Sequence, residues 1–264
     1  NILYCLYMSK YVEEQQFEDY CLKKSININH KRFVVATGTC SNFFYNTQQM
    51  IYSLRTLLPS DTVVIIYDNG LRQNEIEILK TKFNFFNIVY FRHIPTNQER
   101  ISYQVKSFAH EYVKKHYNDF DAYIWLDAKS TLKYNHIELS RMLDIEPVWG
   151  YKAIDLETDW TDVRTMDALD LSEKDRVLKH IQSSAMMFSL KNPLGKSFFY
   201  EYLDLSWNID IIAPKGSTKG LTLPSHRQDQ SLLSCLMKKR GFYRTITHFE
   251  FWATNHNTIH LLYN

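Results

Sequence analysis

The chain is 264 residues long, 45% hydrophobic and 15% aromatic, with only 7 Gly and 6 Pro. It can bury a sizeable core, and it is not collagen-like, linker-rich or disordered. A formal net charge of +2, with no cluster of Lys and Arg, argues against nucleic acid as a partner.

Residues Ile2 to Lys24 predict a helical N-terminal appendage: Tyr11, Phe17, Tyr20 and Leu22 alternate with Glu13, Glu14, Glu18 and Asp19 at helical spacing. The run Phe33-Val34-Val35-Ala36-Thr37 predicts a buried strand, closed by Gly38 and a polar loop through Asn46. A helix from Thr47 to Leu58 is expected next, ended by Pro59, then a strand from Thr62 to Tyr67 and a helix from about Asn74 to Phe83. Asn87 to Phe91 reads as a third strand, Tyr103 to Tyr117 as a helix, and Ala122 to Leu126 as a fourth strand.

Strands alternating with helices at this pace imply a doubly wound α/β fold with a mostly parallel sheet, Rossmann-like over residues 31–132. No Gly-x-Gly-x-x-Gly turn opens it, which excludes the usual dinucleotide site.

The half from 133 to 264 is less regular. Strands are expected at Val148 to Ile154 and Gln182 to Ser189, with a polar, acidic segment from Asp155 to Lys179 between them. Ser197 to Ser206 predicts a helix, and Pro214 to Pro224, with two Gly and two Lys, a mobile lid. Ser225-His226-Arg227-Gln228 has the form of a capping box opening a helix that stops at Gly241.

Four cysteines, Cys5, Cys21, Cys40 and Cys235, lie far apart without a Cys-x-x-Cys pair. That spacing gives neither a zinc ribbon nor a disulfide framework. No Asn-x-Ser/Thr acceptor, signal peptide or apolar run of transmembrane length occurs. A cytoplasmic location is the expectation, although a chain opening on Asn1 without Met is compatible with a removed anchor.

Two strands end in acids: Val63-Val64-Ile65-Ile66-Tyr67 in Asp68, and Tyr123-Ile124-Trp125-Leu126 in Asp127. Ligands of open α/β sheets bind beyond the carboxyl ends of the strands. The two acids are therefore expected to converge on one pocket for a polar, phosphorylated ligand. The alternative for Asp68-Asn69-Gly70 is a plain turn.

In the order of these motifs the chain resembles glycosyltransferases of the GT-A fold over about residues 32–255. The carriers are Thr37-Gly38-Thr39, Asp68, the helix with Tyr103 and Lys106, Tyr-Ile-Trp-Leu-Asp127-Ala128-Lys129, Ser-Ser-Ala-Met-Met-Phe, and Arg-Gln-Asp229-Gln-Ser. In style it is similar to sugar-modifying enzymes of large algal viruses such as chlorovirus xylosyltransferases, which would place it in a host cytoplasm. The resemblance implies a nucleotide-sugar donor, a UDP-sugar (xylose is one guess), and a glycan or glycoconjugate acceptor.

It assigns the donor to Thr37, Gly38, Thr39, Asp68, Tyr103, Lys106, Asp127, Ala128 and Lys129, and the acceptor side or lid to Ser183, His226, Gln228 and His248. Asp229 becomes the general base of an inverting transfer, with a retaining course open if it is not a base. The family's Asp-x-Asp motif, which holds Mn2+ or Mg2+, here reads Asp127-Ala128-Lys129. Either Asp127 binds a metal with distant help from His248 or Asp229, or transfer is metal-independent. A non-catalytic nucleotide-sugar or carbohydrate binding protein is the alternative. A sugar-nucleotide-forming nucleotidyltransferase ranks behind it, because Thr37 to Phe43 carries no Lys or Arg.

Overall fold

The computed structural model describes residues 31–101, 104–217 and 225–246. The expected N-terminal appendage, Tyr103, His248 and most of the expected lid lie outside those residues. The strands are β1 (Phe33–Thr39), β2 (Val63–Asp68), β3 (Asn87–Arg92), β4 (Ala122–Leu126), β5 (Val148–Leu156), β6 (Lys179–Ser189) and β7 (Thr245–Ile246). They form one seven-stranded sheet in the order β3-β2-β1-β4-β6-β5-β7. Only β6 runs against its neighbours; the β1–β2, β1–β4, β2–β3 and β5–β7 pairs are all parallel. This is the expected α/β, mostly parallel architecture.

Burial on both faces explains the nearly continuous apolar runs of β1, β2 and β4. Because side chains alternate along a strand, one face carries Val34, Ala36, Ile65, Tyr67, Tyr123 and Trp125. The other carries Phe33, Val35, Val64, Ile66, Ile124 and Leu126. Helical residues 105–116, 193–206 and 229–239 pack on the first core, and Met50, Ile51 and Leu54, with Leu79, Leu139 and Leu143, on the second.

The helices are α1 (Phe44–Arg55), α2 (Gln73–Lys82), α3 (Asn97–Ile101), α4 (Val105–His116), α5 (His136–Ile145), α6 (Glu157–Trp160), α7 (Val163–Ala168), α8 (Glu173–Arg176), α9 (Pro193–Ser206), α10 (Ile209–Ile212) and α11 (Asp229–Lys239). Helix α1 starts earlier than expected, directly after a 3-10 turn at Ser41–Phe43. The Thr47 hydroxyl, read as the helix start, instead donates to Phe43 O at 2.9 Å and lies 2.6 Å from Thr39 Oγ1.

Helix α5 was not expected. Its signal was present: Asn135 accepts from the Glu138 amide and Glu138 accepts from the Asn135 amide, a reciprocal cap written Asn-x-x-Glu. The acidic stretch after β5 folds as α6, α7 and α8 and is only partly a surface segment, since Glu157 is fully buried.

The capping box at Ser225 needs correcting. Ser225 N–H donates to Asp159 O, and the residues up to Gln228 are not helical. Helix α11 begins at Asp229, and its entry is fixed by the Ser231 hydroxyl, which accepts from Arg227 N–H at 3.0 Å. Gln228, between them, takes φ 45°, a conformation that costs about 1–3 kcal/mol for a non-glycine residue.

Candidate active site

At the carboxyl ends of β1, β2 and β4 the sheet opens into a cleft of about 370 Å³, within the range of ligand sites, roughly 300–1,000 Å³. The loop after β1 supplies Gly38, Thr39 and Phe43, the end of β2 supplies Tyr67 and Asn69, α4 supplies Lys106, and β4 with its loop supplies Trp125, Asp127, Ala128 and Lys129. A Cβ on Gly38 would stand 3.3 Å from Asn69 Nδ2 and 3.4 Å from Trp125, so glycine keeps the neck of the cleft open.

Asp127 is the acid of this cleft. Its backbone N–H is fixed by Ser184 O at 2.8 Å, and its C=O accepts from Ser130 N–H at 2.8 Å, closing a turn that carries Ala128 and Lys129. Trp125 lies two residues back on the same strand face and donates Nε1–H to Asp127 Oδ1 at 2.8 Å. Lys106 Nζ reaches the same oxygen at 3.1 Å. Among the described residues nothing is bonded to Asp127 Oδ2.

The Lys106 ammonium also lies 3.0 Å from Asp229 Oδ2 and donates to Ser183 O and Oγ at 3.2 and 3.1 Å. Ser183 Oγ in turn donates to Asp229 Oδ2 at 2.6 Å. Burial alone would lower the Lys106 ammonium, but Asp127 and Asp229 outweigh it and hold it above its ordinary value. Burial raises the Asp127 carboxyl despite the opposing pull of Lys106. Behind them His110 is pushed down to about 3 by burial, helped by repulsion from Lys106, and bonds Tyr123 Oη at 2.6 Å. It is a neutral core histidine.

Of the residues expected at the donor, Gly38, Thr39, Lys106, Asp127, Ala128 and Lys129 line the cleft together. Thr37 is buried on the opposite face of β1, and its hydroxyl has no partner among the described residues. The expected convergence of Asp68 with Asp127 is corrected. Asp68 Oδ1 accepts from the Gly70 and Leu71 amides at 2.8 and 2.6 Å, and Oδ2 lies 3.6 Å from Arg92. Strand alternation explains the difference: Asp68 has the parity of Ile66 and the second core, whereas Asn69 has the parity of Tyr67 and lines the cleft.

On the expected acceptor side, Ser183 joins the cluster through Lys106. His226 does not: it is 1% exposed, its Nε2 donates to Ile212 O at 2.8 Å and its Nδ1 accepts from Asp162 N–H. Gln228 is buried and presents Asp229, which is itself 4% exposed and set behind Lys106. Sequence reasoning missed Trp125, Asn69 and Phe43. For the first two, the period of two along β4 and β2 was the available signal.

A divalent ion on a diphosphate needs a shell of hard oxygen ligands. Here Asp127 Oδ1 and Asp229 Oδ2 are already engaged by Lys106, and Lys129 replaces a carboxylate. Among the described residues no group of three or more His, Cys, Asp or Glu could hold an ion. Among the described residues the donors left at the cleft do not make up such a shell.

The seven-stranded, mostly parallel sheet with flanking helices is that of the Rossmann-like GT-A fold. Among solved structures, the chain is similar to the bifunctional glycosyltransferase WbbM in its apo form, with 12% identity over 84% of this chain and 39% of that chain at a TM-score of 0.50. It thus spans about two fifths of that protein. It also matches mouse xyloside xylosyltransferase 1 in its apo form (11% identity, 83% of this chain, 84% of that chain, TM-score 0.47). A third match is the galactosyltransferase LgtC in complex with donor and acceptor sugar analogues (14% identity, 77% and 70%, TM-score 0.45). The likeness to WbbM establishes the fold, and the other two are too distant to add to it. No protein-family model and no curated protein sequence matches the chain. Among the described residues no helix is long and apolar enough to cross a membrane.

Proposed function

We propose that this protein is a glycosyltransferase that moves a sugar from a nucleoside-diphosphate donor, a UDP-sugar, to a hydroxyl of a glycan. The observation that carries this reading is the cleft itself. It lies at the carboxyl ends of three parallel strands, with aromatic walls for a base and sugar, and Asp127 Oδ2 open as an acceptor. Asn69 Oδ1, also on the wall, has no partner among the described residues, and a bound nucleotide would supply one.

Transfer needs a held donor, a stabilised leaving diphosphate and an acceptor hydroxyl that loses its proton. Asp127 meets the geometric condition for a proton acceptor better than Asp229, because it faces the cleft and burial raises its carboxyl. Asp229 fixes Lys106, which fixes Asp127. An inverting course would use Asp127 as the base, with Asp229 held behind Lys106. Location in the cytoplasm and a pentose as the sugar belong to this same proposal.

A panel of nucleotide sugars, read by thermal shift and by donor hydrolysis, tests it. A UDP-sugar present at about 100 times its Kd should stabilise the fold by about 2.7 kcal/mol. Turnover should fall about 10²- to 10⁴-fold in Asp127→Ala, with binding of the bare nucleotide largely kept. Binding of a donor that is never turned over with any acceptor would favour a non-catalytic binding protein.

A further inference from the structure

Resting on that reading, we propose that protein-borne cations replace a divalent metal at the donor diphosphate. Lys129 contacts the phosphates, and Lys106 is locked between Asp127 and Asp229 as a fixed counter-charge. Three observations lead there.

The space between the two carboxylates is filled. Lys106 Nζ lies 3.1 Å from Asp127 and 3.0 Å from Asp229, with Ser183 closing the remaining side. A metal bridging those acids would have to displace a buried ammonium that holds four partners.

Lys129, by contrast, is uncommitted. Its side chain is exposed on the cleft wall, and no carboxylate of the described residues lies within salt-bridge range of it. Its Nζ rests 4.9 Å from the centre of the Phe43 ring, so it reaches from the loop after β4 to the loop after β1, across the cleft. An exposed cation–π contact of this kind is weak and easily exchanged for a phosphate oxygen.

The charge count needs Lys129. Asp127 and Asp229 together with Lys106 leave one net negative charge at the floor of the cleft, which repels a diphosphate. Lys129 cancels it. A compact ammonium on a flexible stem can follow the phosphates as the glycosidic bond breaks and charge accumulates on the leaving oxygen.

Titration of UDP into the full chain, in EDTA and in Mn2+, tests the proposal. Wild-type affinity should be the same in both buffers. Lys129→Ala should weaken UDP by roughly 10- to 100-fold, the loss expected for one hydrogen bond to a charged group, and Lys129→Arg should retain most of it. Because Lys129 is exposed, the melting temperature of each variant without ligand should match wild type. Wild-type UDP binding that disappears in EDTA and returns with Mn2+, or affinity indifferent to Lys129→Ala, would overturn the proposal. In both cases the transferase reading stands. UDP binding in neither buffer would bring down that reading and this one together.

Discussion

Two lysine–carboxylate clusters flank β6, and both clamp α11 to the sheet. At its first turn Asp229 meets Lys106 and Ser183; from its middle Ser234 and from its last turn Lys238 meet Glu157, which also bonds His180 Nδ1 at 3.0 Å. In the second cluster Glu157, His180 and Lys238 are at most 1% exposed, and both carboxylate oxygens are saturated by Thr161, Ser234, His180 and Lys238. In the first, Asp127 is 33% exposed, with one oxygen unclaimed and the exposed Lys129 close by in sequence. Buried ion pairs of similar composition thus serve different ends. A carboxylate with both oxygens bonded marks a structural clamp, and one left half open on a cleft marks the candidate site.

If that contrast is right, damage to the closed cluster should fall on stability and damage to the open one on binding. The largest stability effect is expected for Lys238→Met, which strands a buried carboxylate and should cost about 3–5 kcal/mol in urea unfolding. The fraction still folded should bind nucleotide normally.

A pH effect comes next. Burial alone would raise Glu157, but His180 and Lys238 outweigh it and hold its carboxyl at about 2, below its ordinary 4.5. A depressed folded pKa contributes stability that is fully present above about pH 4.5 and is lost as pH falls towards 2. Glu157→Gln should flatten urea midpoints across that window. The open cluster has the opposite sign. With the Asp127 carboxyl raised, the acid limb of kcat/KM should lie above the ordinary carboxylate range, and it should vanish with activity in Asp127→Asn.

The smallest effect is expected at Gln228→Gly. It relieves the φ of 45° but frees the unfolded chain, for a net change within about 1 kcal/mol. A change of several times that size would mean that the Gln228 side chain, and not its backbone, holds Asp229 in place.

Much of this was legible in the sequence. Residues 33–39, 63–68 and 122–126 announce themselves because burial on both sheet faces demands unbroken apolar runs, and Asp127 follows directly from the last of them. The error at Asp68 had a physical source: being next to a strand end does not set direction, whereas parity does, and parity selects Asn69. The clamp at Glu157 was unreadable because its partners His180, Ser234 and Lys238 lie 23, 77 and 81 residues away. The open Asp127 oxygen was equally hidden, since it depends on Lys106, 21 positions earlier in the chain, choosing the other oxygen.

The most direct test of the donor cleft is calorimetric titration of UDP into Gly38→Val. The added side chain reaches between Asn69 and Trp125 without removing any charged or hydrogen-bonding group. Loss of UDP affinity, with the Asp127–Lys106–Asp229 cluster intact, is the predicted result. Unchanged affinity would place the nucleotide elsewhere and contradict the account.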